Sequence, residues 1–298
     1  MPAHLTLSTG FSVLECNGKL LDLSPLTPPK VMGILNVTPD SFSDGGLFLS
    51  ADNALQQAQQ MVQEGAAVID VGGESTRPGA EAVTEQAELD RVIPVIESIR
   101  ENCDVVISID TSKPGVMREA VKAGAGMIND VCALRAPGAL QAASETGVPV
   151  CLMHMAGEPR TMQKNPEYVD VVQTVKSFLQ ERIACCEAAG ISSDVLLVDP
   201  GFGFGKTIDH NLQLVKNLSE FADLGKPVLM GVSRKSSIGA LLGRSANERL
   251  AGSIVMATLC CQYGARIIRA HDVAATVDAV KIYHAVTHAG NMADEAHH

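Results

Sequence analysis

Large aromatic side chains are nearly absent from this 298-residue chain: Trp does not occur, and Phe, Tyr and Trp together make up 3% of residues. A core built around stacked rings is therefore excluded, and small aliphatics must fill the interior, which suits a barrel packed with Val, Ile and Ala. Net positive charge is absent too. The formal net charge is −11 and the isoelectric point about 5.2, with no basic tract. That balance excludes an electrostatic grip on nucleic acid and admits a small anion only where local Arg and Lys reverse the field. No C-x-x-C occurs and no Cys/His cluster has zinc spacing. The eight cysteines, with the adjacent pairs Cys185–Cys186 and Cys260–Cys261, are read as reduced and structural. The N-terminal stretch lacks a basic segment followed by an apolar one, so no signal peptide is expected. No run reaches membrane-spanning length, so a cytoplasmic protein without membrane contact is expected. The closing His297–His298 pair is given no function.

What is present is globular: 46% hydrophobic and 19% charged residues. Residues 5–23 alternate weakly and turn at Asn17-Gly18, which reads as a hairpin, and a Pro-rich linker follows at 25–29. A rhythm then begins. Short apolar runs at 31–37, 67–72, 105–110, 126–130, 148–153, 195–199, 228–231 and 266–270 each give way to polar or Gly-rich residues. Amphipathic helical stretches intervene most clearly at 51–64, 84–100, 113–123, 169–189 and 247–263. Eight strand-like runs alternating with helices predict an α/β chain, a (β/α)₈ TIM barrel with a short N-terminal β-hairpin. An open doubly wound sheet would alternate too, but no G-x-G-x-x-G follows the first run. The expected division is 1–29 hairpin and linker, 30–288 barrel, 289–298 tail. The longer connection at 154–162 reads as a lid.

In such a barrel the chemistry sits after the strands, and the residue types found there sort into two groups. Asp110, Asn129 and Asp199 stand at the ends of apolar runs. Carboxylates there need hydrogen-bond partners, and together these acceptors suit a flat heterocycle rich in N–H donors. Arg77, Lys235, Arg269 and His271 form a second, cationic group that fits a phosphate or carboxylate ligand. The alternative is that the two groups neutralise each other inside the barrel. The Gly-rich loops at 72–79 and 200–206 let backbone N–H groups approach an anion. His154 reads as a lid or packing residue, and Lys206 as loop support because its spacing is not that of a P-loop. The helix over 250–264 is apolar on more than one face, which predicts burial against a second subunit.

Two longer motifs identify a resemblance. Asn-Val-Thr-Pro-Asp-Ser-Phe-Ser-Asp-Gly-Gly at 36–46 and Asp-Val-Gly-Gly-Glu-Ser-Thr-Arg-Pro-Gly at 70–79 resemble the first two signatures of the dihydropteroate synthases. Further matches follow in the family's order: Ile-Asp-Thr at 109–111, Ile-Asn-Asp at 128–130, Asp-Pro-Gly-Phe-Gly-Phe-Gly-Lys at 199–206, Gly-Val-Ser-Arg-Lys-Ser at 231–236 and Arg-Ala-His-Asp at 269–272. Together they span Val31 to Val273.

The resemblance implies a TIM barrel that joins 6-hydroxymethyl-7,8-dihydropterin pyrophosphate to p-aminobenzoate. It implies that Asp110, Asn129, Asp199 and Lys235 hydrogen-bond the pterin, with Arg269 stacked over the ring, Met153 and Phe204 as apolar neighbours and Gly231 beneath. Asn36, Arg77, Arg269 and His271 match a pyrophosphate site, and Asn36 with Asp44 a Mg²⁺ site. Phe42, Thr76, Pro78, Lys235 and Ser236 match a p-aminobenzoate pocket. Asp110, Lys235, Arg269, His271 and Arg77 are the implied catalytic set. A homodimer and inhibition by sulfonamides, which mimic p-aminobenzoate, are implied as well. Two rival readings remain. A methyltetrahydrofolate:corrinoid methyltransferase-type barrel would share the pterin residues but not the anion loops. A silent pterin-binding paralogue would bind without turnover.

Overall fold

The computed structural model describes residues 13–37, 46–75, 83–157 and 167–290. The described chain opens with an antiparallel hairpin, β1 (Val13–Glu15) and β2 (Leu20–Asp22). Its turn places Asn17 at φ 53° and Gly18 at φ 84°, the left-handed pair that a two-residue hairpin turn requires. Eight parallel strands then close into a barrel: β3 (Lys30–Asn36), β4 (Val68–Gly72), β5 (Val106–Asp110), β6 (Met127–Asp130), β7 (Val150–Met153), β8 (Leu196–Asp199), β9 (Val228–Gly231) and β10 (Ala265–Ala270), the last pairing back to β3. The helices α1 (Gly46–Gln63), α2 (Glu85–Asn102), α3 (Pro114–Ala123), α4 (Ala139–Thr146), α5 (Val171–Ala188) and α6 (Ile208–Lys216) alternate with the strands. The helices α7 (Ser236–Leu242) and α8 (Leu250–Gln262) together join β9 to β10, and α9 (Val273–Thr287) follows.

The two-residue period of a strand decides which side chains face which way. Outward residues such as Ile69, Val71, Ile107, Ile109, Leu152 and Val198 join the apolar faces of the helices in one large core. Inward residues at the N-terminal ends, Met32, Val68, Val106, Met127, Cys151, Leu197, Leu229 and Ile267, form a second core with Leu14, Cys16, Leu21 and Leu23 of the hairpin region. The hairpin therefore plugs the barrel floor. Asn17 Nδ2 fixes it by donating to Val121 O and Ala125 O, each at 3.2 Å. Gly126 is needed there, because a Cβ on it would lie 2.3 Å from Cys16 O. Two residues further along the same strands the inward positions turn polar, with Asp70, Ser108, Asn129, Asp199 and Arg269, and Asp110 follows Ser108 at the end of β5.

All eight expected strands are present, each bounded within two residues of its expected run. Three helix starts differ, and the first is α1, which begins at Gly46, five residues before the expected 51. The helix expected from 169 begins at Val171, because Asp170 caps it by accepting from Gln173 N at 3.0 Å and leaves Val169 exposed. The helix expected from 247 begins at Leu250; residues 246–248 form one 3₁₀ turn closed by the Ser245–Glu248 capping box. The expected lid over 154–162 lies partly outside the described residues. No helix among the described residues is long and apolar enough to cross a membrane.

Candidate active site

Arg269 on β10 is the hub of the polar end. Its Nε donates to Asp70 Oδ2 at 2.5 Å and its Nη2 to Asp110 Oδ2 at 2.8 Å. Asn129 Nδ2 reaches the same Asp70 oxygen at 3.2 Å. The strands dictate this meeting: Asp110 ends β5, Asn129 sits one residue before the end of β6, and the register pairs the two. Asp199 ends β8 and accepts from Gly201 N at 2.7 Å. The expected acceptor group is thus assembled, but it is not separate from the cations, since Arg269 bridges two carboxylates. The charge of Arg269 is thus partly neutralised within the barrel.

The electrostatics are poised. Burial pushes Asp110 up to about 7 against the pull of Arg269, and the negative charges of Asp70, Glu88 and Asp130 add to the rise. Burial also lifts Asp199 to about 6, outweighing Gly201 N–H, Lys235 and Lys206. For Arg269 burial works toward a lower pKa, but Asp70 and Asp110 more than reverse it and keep the guanidinium charged.

Lys235 is the N-cap residue of α7, and its Nζ lies 4.0 Å from the centre of the Phe204 ring. Gly203, at φ 85°, makes room: a Cβ there would meet the Lys235 stem at 3.2 Å. Burial lowers Lys235 to about 8, helped by the charge of Arg269. Phe204 and Met153 belong to one small apolar cluster with Val131 and Met155. The Gly-rich loop is shaped by Lys206, whose buried Nζ donates to Gly201 O at 2.8 Å and Phe204 O at 3.0 Å and lies 3.0 Å from His154 Nδ1. Burial drops Lys206 to about 7 and His154 to about 3. His154 also packs edge-on against Phe178 at 4.9 Å. Loop support for Lys206 and packing for His154 are thus their observed roles.

His271 follows β10, and its Nδ1 lies 3.1 Å from Ser233 Oγ. Burial, then Arg269 and Arg234, push it down to about 4. Removal from water and the neighbouring guanidinium groups thus disfavour the imidazolium form here. The loop after β9 is tied to this corner by Arg234, held at φ 57° and paired to Asp272 through both Nε, at 2.9 Å, and Nη2. Ser236 opens α7, and Gly231 ends β9 beside Arg269. Asn36 ends β3. A Cβ on Gly72 would stand 3.7 Å from Asp110 Oδ2 and 3.8 Å from Asn36 Oδ1, so both oxygens lie close to Gly72.

Phe42, Asp44, Thr76, Arg77 and Pro78 lie outside the described residues. The second loop, which bears the last three, is anchored on either side. Glu74 accepts from Val83 N at 3.1 Å and pairs with Lys113, which also pairs with the fully buried Glu88. Sequence reasoning missed Asp70, Glu88, Lys113, Ser233 and Asp272 as parts of this site. The signal for Asp70 was a carboxylate within the apolar run Val68–Gly72, at the same inward parity as Gly72.

The comparisons with known proteins agree with this geometry. A family model described as pterin binding enzyme matches residues 32–271. Dihydropteroate synthase of Haemophilus influenzae is 54% identical over 276 residues, covering 93% of this chain and 99% of that one. The Yersinia pestis dihydropteroate synthase in a sulfonamide drug complex superimposes with TM-score 0.88 at 52% identity, over 93% of this chain and 100% of that one. The Xanthomonas albilineans dihydropteroate synthase in complex with 7,8-dihydropteroate gives TM-score 0.84 at 50% identity, over 92% and 98% of the two chains. With its barrel, its strand-end acceptors and these likenesses, the chain belongs to the dihydropteroate synthase family.

Proposed function

We propose that this chain condenses 6-hydroxymethyl-7,8-dihydropterin pyrophosphate with p-aminobenzoate, giving 7,8-dihydropteroate and pyrophosphate. The observation that carries the reading is the gathering of Asp110, Asn129, Asp199 and Arg269 on the inner wall of one barrel end, with Lys235 over Phe204. Asp110, Asn129, Asp199 and Lys235 hydrogen-bond the pterin, whose 2-amino-4-oxo edge offers N–H donors and a carbonyl. Arg269 stacks on the ring, Met153 and Phe204 flank it, and Gly231 keeps the floor beneath clear. Asn36, Arg77, Arg269 and His271 receive the pyrophosphate; Phe42, Thr76, Pro78, Lys235 and Ser236 receive p-aminobenzoate.

The C–O bond between the exocyclic methylene and pyrophosphate breaks, with its electron pair leaving on the phosphate oxygen. Arg77, Arg269 and His271 stabilise that developing charge by hydrogen bonding. The conjugated pterin spreads the positive charge left on the methylene, and Asp110 beside it favours that charge. The arylamine nitrogen then forms the new C–N bond and loses a proton. A neutral arylamine is already nucleophilic at neutral pH, so no activated Ser or Cys is required. Asn36 and Asp44 would hold Mg²⁺. The amide oxygen of Asn36, at the end of β3, is a hard oxygen donor of the kind such an ion accepts. The ion would supply charge neutralisation to the leaving pyrophosphate.

A homodimer through α7, α8 and α9 belongs to the same reading. It is supported by Leu241, Leu242, Leu250, Val255, Ile282 and Val286, all exposed on these helices. Sulfonamides should compete with p-aminobenzoate. The test is pyrophosphate release by the purified protein with Mg²⁺ and the pterin pyrophosphate, with and without p-aminobenzoate. Release that depends on p-aminobenzoate and yields dihydropteroate supports the reading. Pterin binding without turnover contradicts it and favours a silent paralogue.

A further inference from the structure

Asp70 is fully buried, one inward layer below Asp110, on a strand whose previous inward residue is Val68. Packing alone would select an aliphatic there, and a carboxylate out of water is costly unless its partners hold it. Its partners are two residues of the pterin site. Oδ2 accepts from Arg269 Nε at 2.5 Å and from Asn129 Nδ2 at 3.2 Å, so one oxygen ties β4 to β10 and β6. Oδ1 has no partner, and neither does Ser108 Oγ, the residue opposite Asp70 on β5.

Resting on the function proposed above, we propose that Asp70 is a positioning residue: a permanent counter-ion that holds Arg269 and orients Asn129 while Asp110 serves the substrate. Arg269 uses different nitrogens for its two carboxylates. Asp110 ends its strand at the mouth, where pterin N–H groups compete for its oxygens. Asp70 is out of reach of ligand, so its bond to Nε persists when Asp110 is engaged. The guanidinium plane is then kept over the ring and next to the leaving group. Asn129 is set by the same oxygen. A carboxylate only accepts hydrogen bonds, so the amide must turn its NH₂ to Asp70 and present its carbonyl oxygen to the ligand. One buried carboxylate thereby fixes one charge and one acceptor.

The test compares Asp70→Asn, Arg269→Ala and the double variant in steady-state turnover, with KM measured for each substrate. Asp70→Asn preserves size and some hydrogen bonding but removes the charge. Its kcat is expected to fall about 10- to 100-fold, as misplacement of a positioned group does. KM for the pterin pyrophosphate should rise while KM for p-aminobenzoate stays unchanged. In the Arg269→Ala background the same substitution should cause a smaller loss, only the part that runs through Asn129. An equal loss in both backgrounds, or wild-type kinetics in Asp70→Asn, overturns the proposal. Arg269→Lys, which keeps the charge but cannot bridge Asp70 and Asp110, reads the tie from its other end, and near-normal kcat there also overturns it. Absence of turnover in the wild-type protein is the separate result that sinks the functional reading itself.

Discussion

Val68, Met127, Leu197 and Ile267 point into the barrel at the hairpin end; two residues further along the same strands stand Asp70, Asn129, Asp199 and Arg269. The floor is apolar, sealed by the hairpin and complete in itself. The mouth is not. It holds a guanidinium shared between two carboxylates, and two carboxyls lifted to about 7 and about 6. Two residues of strand separate a layer that stabilises the barrel from a layer whose groups are satisfied only in part. A ligand rich in N–H donors would complete the second layer, which is why the binding site sits there and the stability below it.

Substitutions at the two layers should therefore separate activity from stability. Arg269→Ala should have the largest effect, lowering kcat/KM by about 100-fold or more in the pyrophosphate-release assay. Because it strands Asp70 and Asp110, it should also lower stability by about 3 kcal/mol in urea titrations at pH 8. Activity within a few fold of wild type would erase the distinction. Met127→Ala, at the floor, should reverse the pattern: a loss of about 3 kcal/mol with kcat per folded molecule unchanged. A fallen kcat would mean that the floor is not independent of the site. Lys206→Met removes the donor that shapes the Phe204 loop and should raise KM for the pterin substrate about tenfold, roughly 1.4 kcal/mol, with p-aminobenzoate unaffected. An equal rise for both substrates would refute a local role.

The smallest effect is one of pH. Asp199 keeps its proton to about pH 6 in the native protein, whereas an unfolded Asp releases it near 3.8. Its contribution therefore weakens the fold as pH rises from about 4 to 6. His271 and His154, pushed down to about 4 and 3, act oppositely, because the unfolded chain still binds their protons below 6.5. Asp199→Asn removes only the first effect. Melting curves from pH 4 to 6 should show the variant gaining on the wild type, and a constant gap would show that Asp199 titrates normally.

The fold was legible because strand period and strand–helix alternation are local features that each segment carries by itself. The strand-end residues Asp110, Asn129, Asp199 and Arg269 were legible for the same reason, since a polar residue closing an apolar run stands out. Asp70 was not, because its role depends on Arg269, nearly two hundred residues away and brought near only when β10 closes on β3. The lowered pKa of His271 was also hidden, because sequence gives a side chain's type but not its removal from water. The short helices α4, α6 and α7 were faint for want of length: at 8, 9 and 7 residues they show too few turns for a period to emerge.

The most direct test of the account is calorimetric titration of the protein with 6-hydroxymethylpterin at pH 6 in buffers of different ionisation enthalpy, which reads the protons exchanged on binding. If the mouth waits for N–H donors, Asp110 and Asp199 ionise as the pterin arrives and protons are released to the buffer. Binding with no proton exchange, or with uptake, would contradict the view that these buried carboxyls are completed by the ligand.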